Sequence, residues 1–539
     1  MKRIFTLCLA LVAACAVMAA ECVIVPRPVS YEAKKGKLTI SSKSVVYVAD
    51  KSLMRPATMF CSYVAADKGV KLSVVENAPK GKGAIVLSVD KSLAEEEYQL
   101  DVTKSGVIIK GGSEKAVFYG LQSLRQVVFH SKGNDKKISV ECLSVKDKPH
   151  FGYRGNMLDV CRHFFTVEQV KEYIDILAMH KINRFHWHLT EDQGWRIEIK
   201  RYPNLIKVGS MRKETAVGLH NRKETPKYDG KPHGGFFTQD EVRDIVRYAS
   251  ERYIEVIPEI DMPGHMVAAL ASYPELGCTK GPYEVRTRWG ISKDVLCAGS
   301  EATFEFVEGV LTEIMELFPS KYIHLGGDEC PKDRWKECPD CQKRIADEGL
   351  KDEFELQSYF MQRVEKFAAK YGRSIIGWDE ILEGGISKTA TIMAWRGPQH
   401  GIKAAKLGNK VIMTPKTHCY LDYCQTSNRK ANNEPICGGR NGKRPLPIRK
   451  VYSFDPYDQL NAEERKFVIG VQGNMWTEYV ATYDHLQRMI LPRMAAIAEV
   501  GWSYGNKDYD DFSRRLHLLR KMYDKCGYKY APYFFNGIE

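Results

Sequence analysis

The chain has 539 residues, with 44% hydrophobic and 27% charged side chains, 42 glycines and 23 prolines. That is ordinary globular composition, and it excludes disordered, collagen-like and coiled-coil classes. Lys and Arg (80) outnumber Asp and Glu (67) for a formal charge of +13, but the excess is spread thinly, so no nucleic-acid groove is expected. After the first twenty residues no apolar run is long enough to span a membrane, and the chain reads as a soluble, folded protein. Its length suits about three or four domains, fewer if one is a large barrel.

Lys2-Arg3 precede an apolar stretch from Ile4 to Ala20, the pattern of a secretory leader over residues 1–20. Two exits fit it. Val12-Ala13-Ala14-Cys15 resembles a lipobox in which a lipidated Cys15 becomes the mature start, and Val17-Met18-Ala19 fits ordinary leader cleavage. Either route predicts export, to the periplasm or to the outer membrane or cell surface of a bacterium as a lipoprotein, with membrane attachment only through Cys15. Thirteen of the fifteen cysteines lie beyond Cys15, where disulfides are allowed but their pairing is not legible. Cys330, Cys338 and Cys341 form C-x7-C-x2-C. With no fourth ligand at finger spacing, a local disulfide plus a buried thiol is expected rather than zinc.

Residues 21–148 alternate short β-branched runs with turn residues, as in Ser44–Val48 and Gly83–Val89, and contain one helix-like stretch, Glu114 to Phe129. They read as a small α/β domain without chemistry of its own. From Phe151 a strand–helix alternation repeats about eight times, with strand-like runs Tyr153–Val160, Asn183–Leu189, Ile254–Ile260, Tyr322–Gly327, Ser374–Trp378, Thr391–Trp395, Lys410–Thr414 and Phe467–Trp476. Between the first two, Val167, Val170, Ile174, Leu177 and Ala178 have the spacing of one buried helix face. Thr166-x-x-Gln169 and Thr238-x-x-Glu241 are capping boxes that open helices. Eight strands with intervening helices over residues 149–507 predict an α/β fold, a (β/α)8 TIM barrel, rather than an open sheet. Residues 508–539 are expected to form a closing helical cap.

In such a barrel chemistry gathers at the C-terminal ends of the strands. Those ends carry Arg162; His186, Trp187, His188, Glu191 and Asp192; Glu259, Asp261 and His265; Asp328 and Glu329; Trp378, Asp379 and Glu380; Trp395 and Arg396; Tyr420 and Asp422; and Trp476 and Glu478. A glycosidase normally sets two carboxylates either side of one bond. Asp328 and Glu329 are adjacent, and neighbours on a strand point to opposite faces, so they suit a nucleophile–acid pair poorly. At a strand end they can still line one pocket at different depths, one protonating a leaving group and the other steering a group of the substrate. Trp378, Trp395, Trp476 and Trp187 offer flat apolar faces to a sugar ring or an acetamido methyl.

At this point the chain resembles glycoside hydrolase family 20, the β-N-acetylhexosaminidases. The resemblance rests on Gly326-Gly327-Asp328-Glu329, Arg162-His163-Phe164, His186 to Trp195, Asp261-Met262-Pro263-Gly264-His265, Gly377-Trp378-Asp379-Glu380 and Trp476-Thr477-Glu478, in the family's order along the chain. It implies an exo-acting, retaining enzyme that removes terminal β-linked GlcNAc or GalNAc from glycans. By that resemblance Glu329 is general acid and base, and Asp328 orients the 2-acetamido group whose oxygen attacks C1 to give an oxazolinium ion. Tyr420 donates to that oxygen, and Trp378, Trp395 and Trp476 wall the methyl. Arg162, Asp422 and Glu478 hold hydroxyls, and Glu191, Asp261 and His265 support the shell. Glu191 departs from the family, which commonly carries Asp there. No cofactor and no metal is implied.

Three alternatives accompany this reading. One is a relative that releases a disaccharide, which Asp422 and Glu478 disfavour. The second is a metal-dependent amidohydrolase using His186, His188, His265 and Asp328. The third is a non-catalytic glycan-binding protein, which the joint presence of Asp328, Glu329 and Tyr420 opposes. The imidazoles of His186 and His188 are read as satisfied core or supporting histidines, and His265 could instead cap a helix. Between the seventh and eighth strands, Arg429, Lys430, Arg440, Lys443, Arg444, Arg449 and Lys450 form a basic connection. It is read as solvated, with recognition of anionic glycans as the competing function.

Overall fold

The computed structural model describes residues 21–79, 82–219, 225–428, 433–441 and 443–538. The leader with Cys15 lies outside the described residues, as do Arg429 and Lys430.

Eight parallel strands close into a barrel: β1 (Tyr153–Asp159), β2 (Arg184–His188), β3 (Glu255–Glu259), β4 (Tyr322–His324), β5 (Ser374–Trp378), β6 (Thr391–Ala394), β7 (Val411–Met413) and β8 (Val468–Met475). Each lies within its predicted run. They are legible because strands covered on both faces read as near-continuous apolar runs, and β1 is buried at every position. The two capping boxes form as expected. Thr166 Oγ1 accepts from the Gln169 amide while Gln169 Oε1 accepts from the Thr166 amide, and Thr238 and Glu241 do the same. Helices Val167–Met179 and Gln239–Ser250 therefore start where the sequence says.

The first domain is a mixed sheet. Its strands run, in spatial order, Ser30–Ser41, Lys137–Asp147, Tyr98–Val102, Gly106–Gly111, Ala84–Val89, Val45–Val48 and Ser73–Val75. It carries two helices, Glu114–His130 and Met54–Lys68. The second was not foreseen. Ala57, Phe60, Cys61 and Val64 bury a helical stripe, but only one of them is a large apolar side chain, so the pattern is faint.

The helix Glu114–His130 is buried from Ala116 to Val128 because it is wedged between sheet and barrel. Tyr119 packs edge-on against Trp502 at 5.1 Å and its hydroxyl accepts from Arg154 of β1. At the seam, fully buried Lys181 pairs with fully buried Asp147 at 3.2 Å. Asp147 also accepts from the Tyr98 hydroxyl (2.6 Å), the Trp502 indole (2.8 Å) and the Val29 amide. The tail helix Tyr509–Cys526, capped by Asp508, joins the same seam. Buried Arg515 pairs with Glu499 and donates to the Ile24 carbonyl.

Removing one member of a buried ion pair strands its partner, at a cost of about 3–5 kcal/mol. Asp147→Ala is therefore expected to lower stability by about that much in denaturant titration. Asp147→Ala combined with Lys181→Met should recover a large part of it, since no charge is then left unpaired. A double variant as unstable as the single one would show that shape, not charge, holds the seam.

Candidate active site

The carboxylate pair is placed by an interruption of the strand. β4 ends at His324, and the chain then turns left-handed at Gly326 (φ 65°), Gly327 (φ 94°) and Glu329 (φ 44°). The alternation of side chains along a strand no longer applies there. Glycine at 326 is required twice over, since a Cβ would also fall 1.6 Å from Asp261 Oδ1. Asp261, just past β3, fastens this turn by accepting the Gly327 amide at 3.1 Å.

Both carboxylates consequently face one imidazole. His265 Nε2 is 3.7 Å from Asp328 Oδ2 and 3.8 Å from Glu329 Oε2. They sit at different depths, with side chains 13% and 35% exposed. Behind His265, its Nδ1 meets Glu191 Oε1 at 2.8 Å, and Glu191 Oε2 is paired with Arg162 at 2.9 Å and reaches His188 at 3.3 Å. His265 itself has φ 54°, an uncommon conformation for a non-glycine residue that concentrates at functional sites. It does not cap the following helix Val267–Ser272, whose N-cap residue is Met266 and supplies no side-chain hydrogen bond. The Val267 amide donates to Asp192 instead.

The electrostatics follow from burial. Desolvation opposes a charged ring at His265, yet Glu191 and Asp328 outweigh it and hold the imidazole well above its ordinary pKa, as a cation. Glu191 resists its own burial through Arg162 and His265 and lies well below the carboxylate range. Burial pushes Asp328 up to about 6, against the pull of His265 and with help from Glu329. Asp261 is raised well above its usual range by burial and by Asp328.

Aromatic rings close the other side. Trp378 and Trp476 lie 5.9 Å apart, Trp476 and Tyr420 6.4 Å, and Trp395 stacks on Tyr420 at 6.0 Å. These tryptophans cap a small core cluster inside the barrel that includes Tyr153, Ile257, Ile376, Met393 and Ile412. Arg162 stands over Trp476 at 4.9 Å, anchored by Asp159 and Gln193. Asp422 and Glu478 are both raised by burial; Glu478 adds to the shift of Asp422, and Arg162 opposes both. Asp328 Oδ1, Asp422 Oδ1 and His265 Nε2 are buried without a hydrogen-bond partner among the described residues. Buried polar atoms are normally satisfied, so these three are where a polar ligand would be received.

The loop bearing Tyr420 and Asp422 is held at its base. Cys424–Cys437 is a disulfide, Gly438 donates its amide to the Asp422 carbonyl, and fully buried Arg493 donates to the carbonyls of Leu421, Tyr423 and Leu446. Farther along, Lys443, Arg444 and Lys450 line a cavity of about 560 Å³ with Lys416, whose Nζ lies 4.5 Å from the Trp395 ring. Arg449 turns away, onto Tyr509 at 3.8 Å.

Two expectations are corrected. Trp187 is not a wall of the pocket: it is fully buried on the outside of the barrel against Phe185, Phe237 and Phe318, because its position in β2 points away from the interior. Cys330, Cys338 and Cys341 form neither a disulfide nor a group of their own. Cys338 and Cys341 instead meet Cys278 and Cys297. His186 and His188 are supporting histidines, both on Glu259 at 2.8 and 2.6 Å. Their pKa values diverge: burial takes His186 down to about 4, while Glu259 and Glu191 overcome burial and carry His188 up to about 10.

Sequence reasoning did not assign the residues that hold the walls. Glu259 accepts the Trp378 indole at 2.9 Å, and Glu380 accepts the Trp395 indole at 2.9 Å. Asp379 takes the Trp395 and Arg396 amides and pairs with the Arg396 side chain. Burial, then Asp328 and Asp379, raise Glu380 to about 9. Their signal was only that each is an acid at a strand end.

A (β/α)8 barrel that gathers buried carboxylates and aromatic rings on its C-terminal rim belongs to the class of barrels whose loops on that face carry the chemistry. The family model for the glycosyl hydrolase family 20 catalytic domain matches residues 151–504, and that for domain 2 of the family matches residues 21–148. The chain belongs to glycoside hydrolase family 20. It is 44% identical over 516 residues to a beta-hexosaminidase of Porphyromonas gingivalis, covering 94% of this chain and 64% of that one. The chain thus spans just under two thirds of that relative's length. It is 36% identical to a beta-hexosaminidase of Akkermansia muciniphila, covering 79% of this chain and 83% of that one. Among solved structures, a family 20 exo beta-N-acetylglucosaminidase of Vibrio harveyi in complex with N-acetylglucosamine superposes with a TM-score of 0.83 at 30% identity, over 95% of this chain and 78% of that one. The beta-N-acetylhexosaminidase of Streptomyces coelicolor gives 0.80 at 30%, over 94% and 97%.

A carboxyl moved from 3.8 to about 6 on folding binds its proton more tightly in the folded state, so its ionisation costs stability. The cost is full above pH 6 and vanishes below the unfolded value near 4; it amounts to about 3 kcal/mol. Asp328→Asn should therefore raise Tm at pH 8 by a few degrees, with the gain fading between pH 6 and 4. A gain that is flat with pH would mean that burial of this charge is not its source.

Proposed function

We propose that the protein is an exo-acting β-N-acetylhexosaminidase that removes terminal β-linked GlcNAc or GalNAc by substrate-assisted retention. The observation that carries the reading is the placement of two adjacent acids at one imidazolium, Asp328 deep and Glu329 near the mouth, beneath a box of three tryptophans and Tyr420.

Glu329 protonates the glycosidic oxygen, which departs toward solvent on the more exposed side of the pair. Asp328 accepts the acetamido N–H and balances the charge that grows as the acetamido oxygen attacks C1. Tyr420 donates its hydroxyl to that oxygen, and the rings of Trp378, Trp395 and Trp476 exclude water from the methyl. The oxazolinium ion then opens to water, with Glu329 now acting as base. Arg162, Asp422 and Glu478 bind the hydroxyls of the terminal sugar. An intramolecular nucleophile can supply an effective molarity of ~10⁵–10⁸ M, or ~7–11 kcal/mol, so no enzymic nucleophile is needed. General acid help contributes ~10²–10⁴-fold. His265 keeps Asp328 ionised by its positive charge, and Glu191, longer than the Asp usual in the family, reaches His265, His188 and Arg162 together.

Turnover of an aryl β-N-acetylglucosaminide beside an aryl β-glucoside tests the reading. The first alone should react, and equal rates would reveal an enzymic nucleophile. Glu329→Gln should lose about 10²- to 10⁴-fold in kcat on disaccharides and far less on aryl substrates with good leaving groups; unchanged kcat on a disaccharide would remove Glu329 from the role.

Because Asp328 must be ionised and lies at about 6, kcat/KM should fall about tenfold per pH unit on the acid side of that value. His265→Gln takes away the cation that opposes the rise, so its acid limb should move to higher pH. A limb that stays in place would separate His265 from the ionisation of Asp328.

A further inference from the structure

The strongest unassigned feature is the four-cysteine group formed between the loops after β3 and β4. Cys278 follows the short turn Pro274–Leu276, and Cys297 lies on a segment bridged to it by Gly277 and Leu296, its amide donating to the Leu276 carbonyl at 2.8 Å. Cys338 is the N-cap of helix Pro339–Asp347 and Cys341 lies in that helix's first turn. Their sulfurs converge from these three segments. Cys278 and Cys341 are 3.8 Å apart, Cys297 is 3.7 Å from both Cys338 and Cys341, and all four lie within 4.8 Å of one another. Three of the four residues are buried.

These separations have a definite chemical meaning. A disulfide requires about 2.05 Å, and none of these cysteines is in one, whereas Cys424–Cys437 is closed in the same chain. Four thiolates around zinc at about 2.3 Å stand at the corners of a tetrahedron whose edges are about 3.8 Å. We propose that Cys278, Cys297, Cys338 and Cys341 bind a structural zinc ion in a closed tetrathiolate site. Binding displaces four thiol protons to solvent and leaves a site of net charge −2. The nine-residue helix turns its positive N-terminal end toward two of the sulfurs, which favours thiolate. Gly299 lets the Cys297 segment lie against the Cys341 backbone, where a Cβ would come within 2.1 Å of Asp340. Buried Trp335, on the Cys338 side, ties its indole to the Leu296 carbonyl, next to Cys297, at 2.9 Å.

The position gives the site its consequence. Cys278 and Cys297 belong to the loop after β3 that carries His265, and Leu296 donates its amide to the Pro263 carbonyl within the Asp261–His265 turn. Cys338 and Cys341 belong to the loop after β4 that carries Asp328 and Glu329. Zinc would cross-link the loop that supplies the imidazolium to the loop that supplies both carboxylates. Two of the four ligands escape sequence reasoning because Cys278 and Cys297 lie in another loop, far from finger spacing, while Cys330 stands near Cys338 and Cys341 in the chain alone.

Metal content of the purified full chain, equilibrated with Zn²⁺ and dialysed, tests the proposal without reference to activity. One zinc per chain is expected in the wild type and in Cys330→Ser, and its loss in Cys338→Ser combined with Cys341→Ser. Stripping the ion should lower Tm, and a mercurial should release it as it caps the four thiolates. Where the double variant fails to fold, cobalt substitution of the wild type reads the ligands directly through thiolate-to-metal charge transfer and tetrahedral absorption. A wild type that holds no zinc after equilibration, or recovery of the four cysteines as two disulfides on non-reducing mapping, overturns it.

Discussion

One positive charge governs the site: the imidazolium of His265. At an effective dielectric of about 20, unit charges about 4 Å apart interact by about 4 kcal/mol. Glu191, Asp328, Glu329, Asp261 and Glu380 all crowd one side of the barrel rim, and without a cation among them their repulsion and desolvation would keep most of them protonated. His265 resolves this locally. It is gripped from behind by Glu191, which is itself neutralised by Arg162, and its free edge faces the two acids. Where burial outweighs the nearest cation the acid is still driven upward, Glu380 to about 9 despite Arg396 at 3.6 Å and Asp261 well above its range despite His265. The charge pattern of the rim is thus set by the balance, at each carboxylate, between burial and the cation it meets.

The backbone makes that contact available. A regular strand through residues 326–329 would send Asp328 and Glu329 to opposite faces. Three left-handed residues in four convert adjacency in sequence into adjacency in space, and the turn survives because Asp261 and Gln357 take up its amide and carbonyl at Gly327. Conformations of this kind cost about 1–3 kcal/mol each in non-glycine residues, so two of the strained residues, His265 and Glu329, are offset by the surrounding hydrogen bonds rather than by their own preferences.

How far the sequence reveals this depends on the range of the interaction. The barrel strands are legible because burial on both faces leaves an uninterrupted apolar run, and the helix starts because a capping box is local. The acids, Arg162 and the tryptophans at strand ends are legible because the fold class says where strand ends go. What escapes depends on direction or on distant partners. Trp187 and Trp378 both lie near strand ends, and only the pleat decides that one faces the outer helices and the other the pocket. Glu259 and Glu380 matter through the indole that each accepts, a pairing between strands that no spacing encodes. The four cysteines are the extreme case, since the two pairs belong to different loops and meet only when β3 and β4 lie side by side in the barrel.

That last point bears on how such a rim keeps its geometry. Loops on a barrel face are the least constrained parts of the fold, yet the chemistry proposed here tolerates little displacement of Asp328, Glu329 or Tyr420. The loop after β7 is fastened at its base by Cys424–Cys437 and by Arg493, whose guanidinium donates to three of that loop's carbonyls. The loops after β3 and β4 are fastened to each other through the Gly327–Asp261 hydrogen bond and through the thiol group beyond it, while Leu296–Pro263 ties the first loop to itself. Each tie lies outside the pocket, so it can be strong without competing for the polar atoms that the pocket leaves unpaired. Stability is thereby stored one layer away from the site, and the buried, unpartnered oxygens of Asp328 and Asp422 can remain available to a ligand.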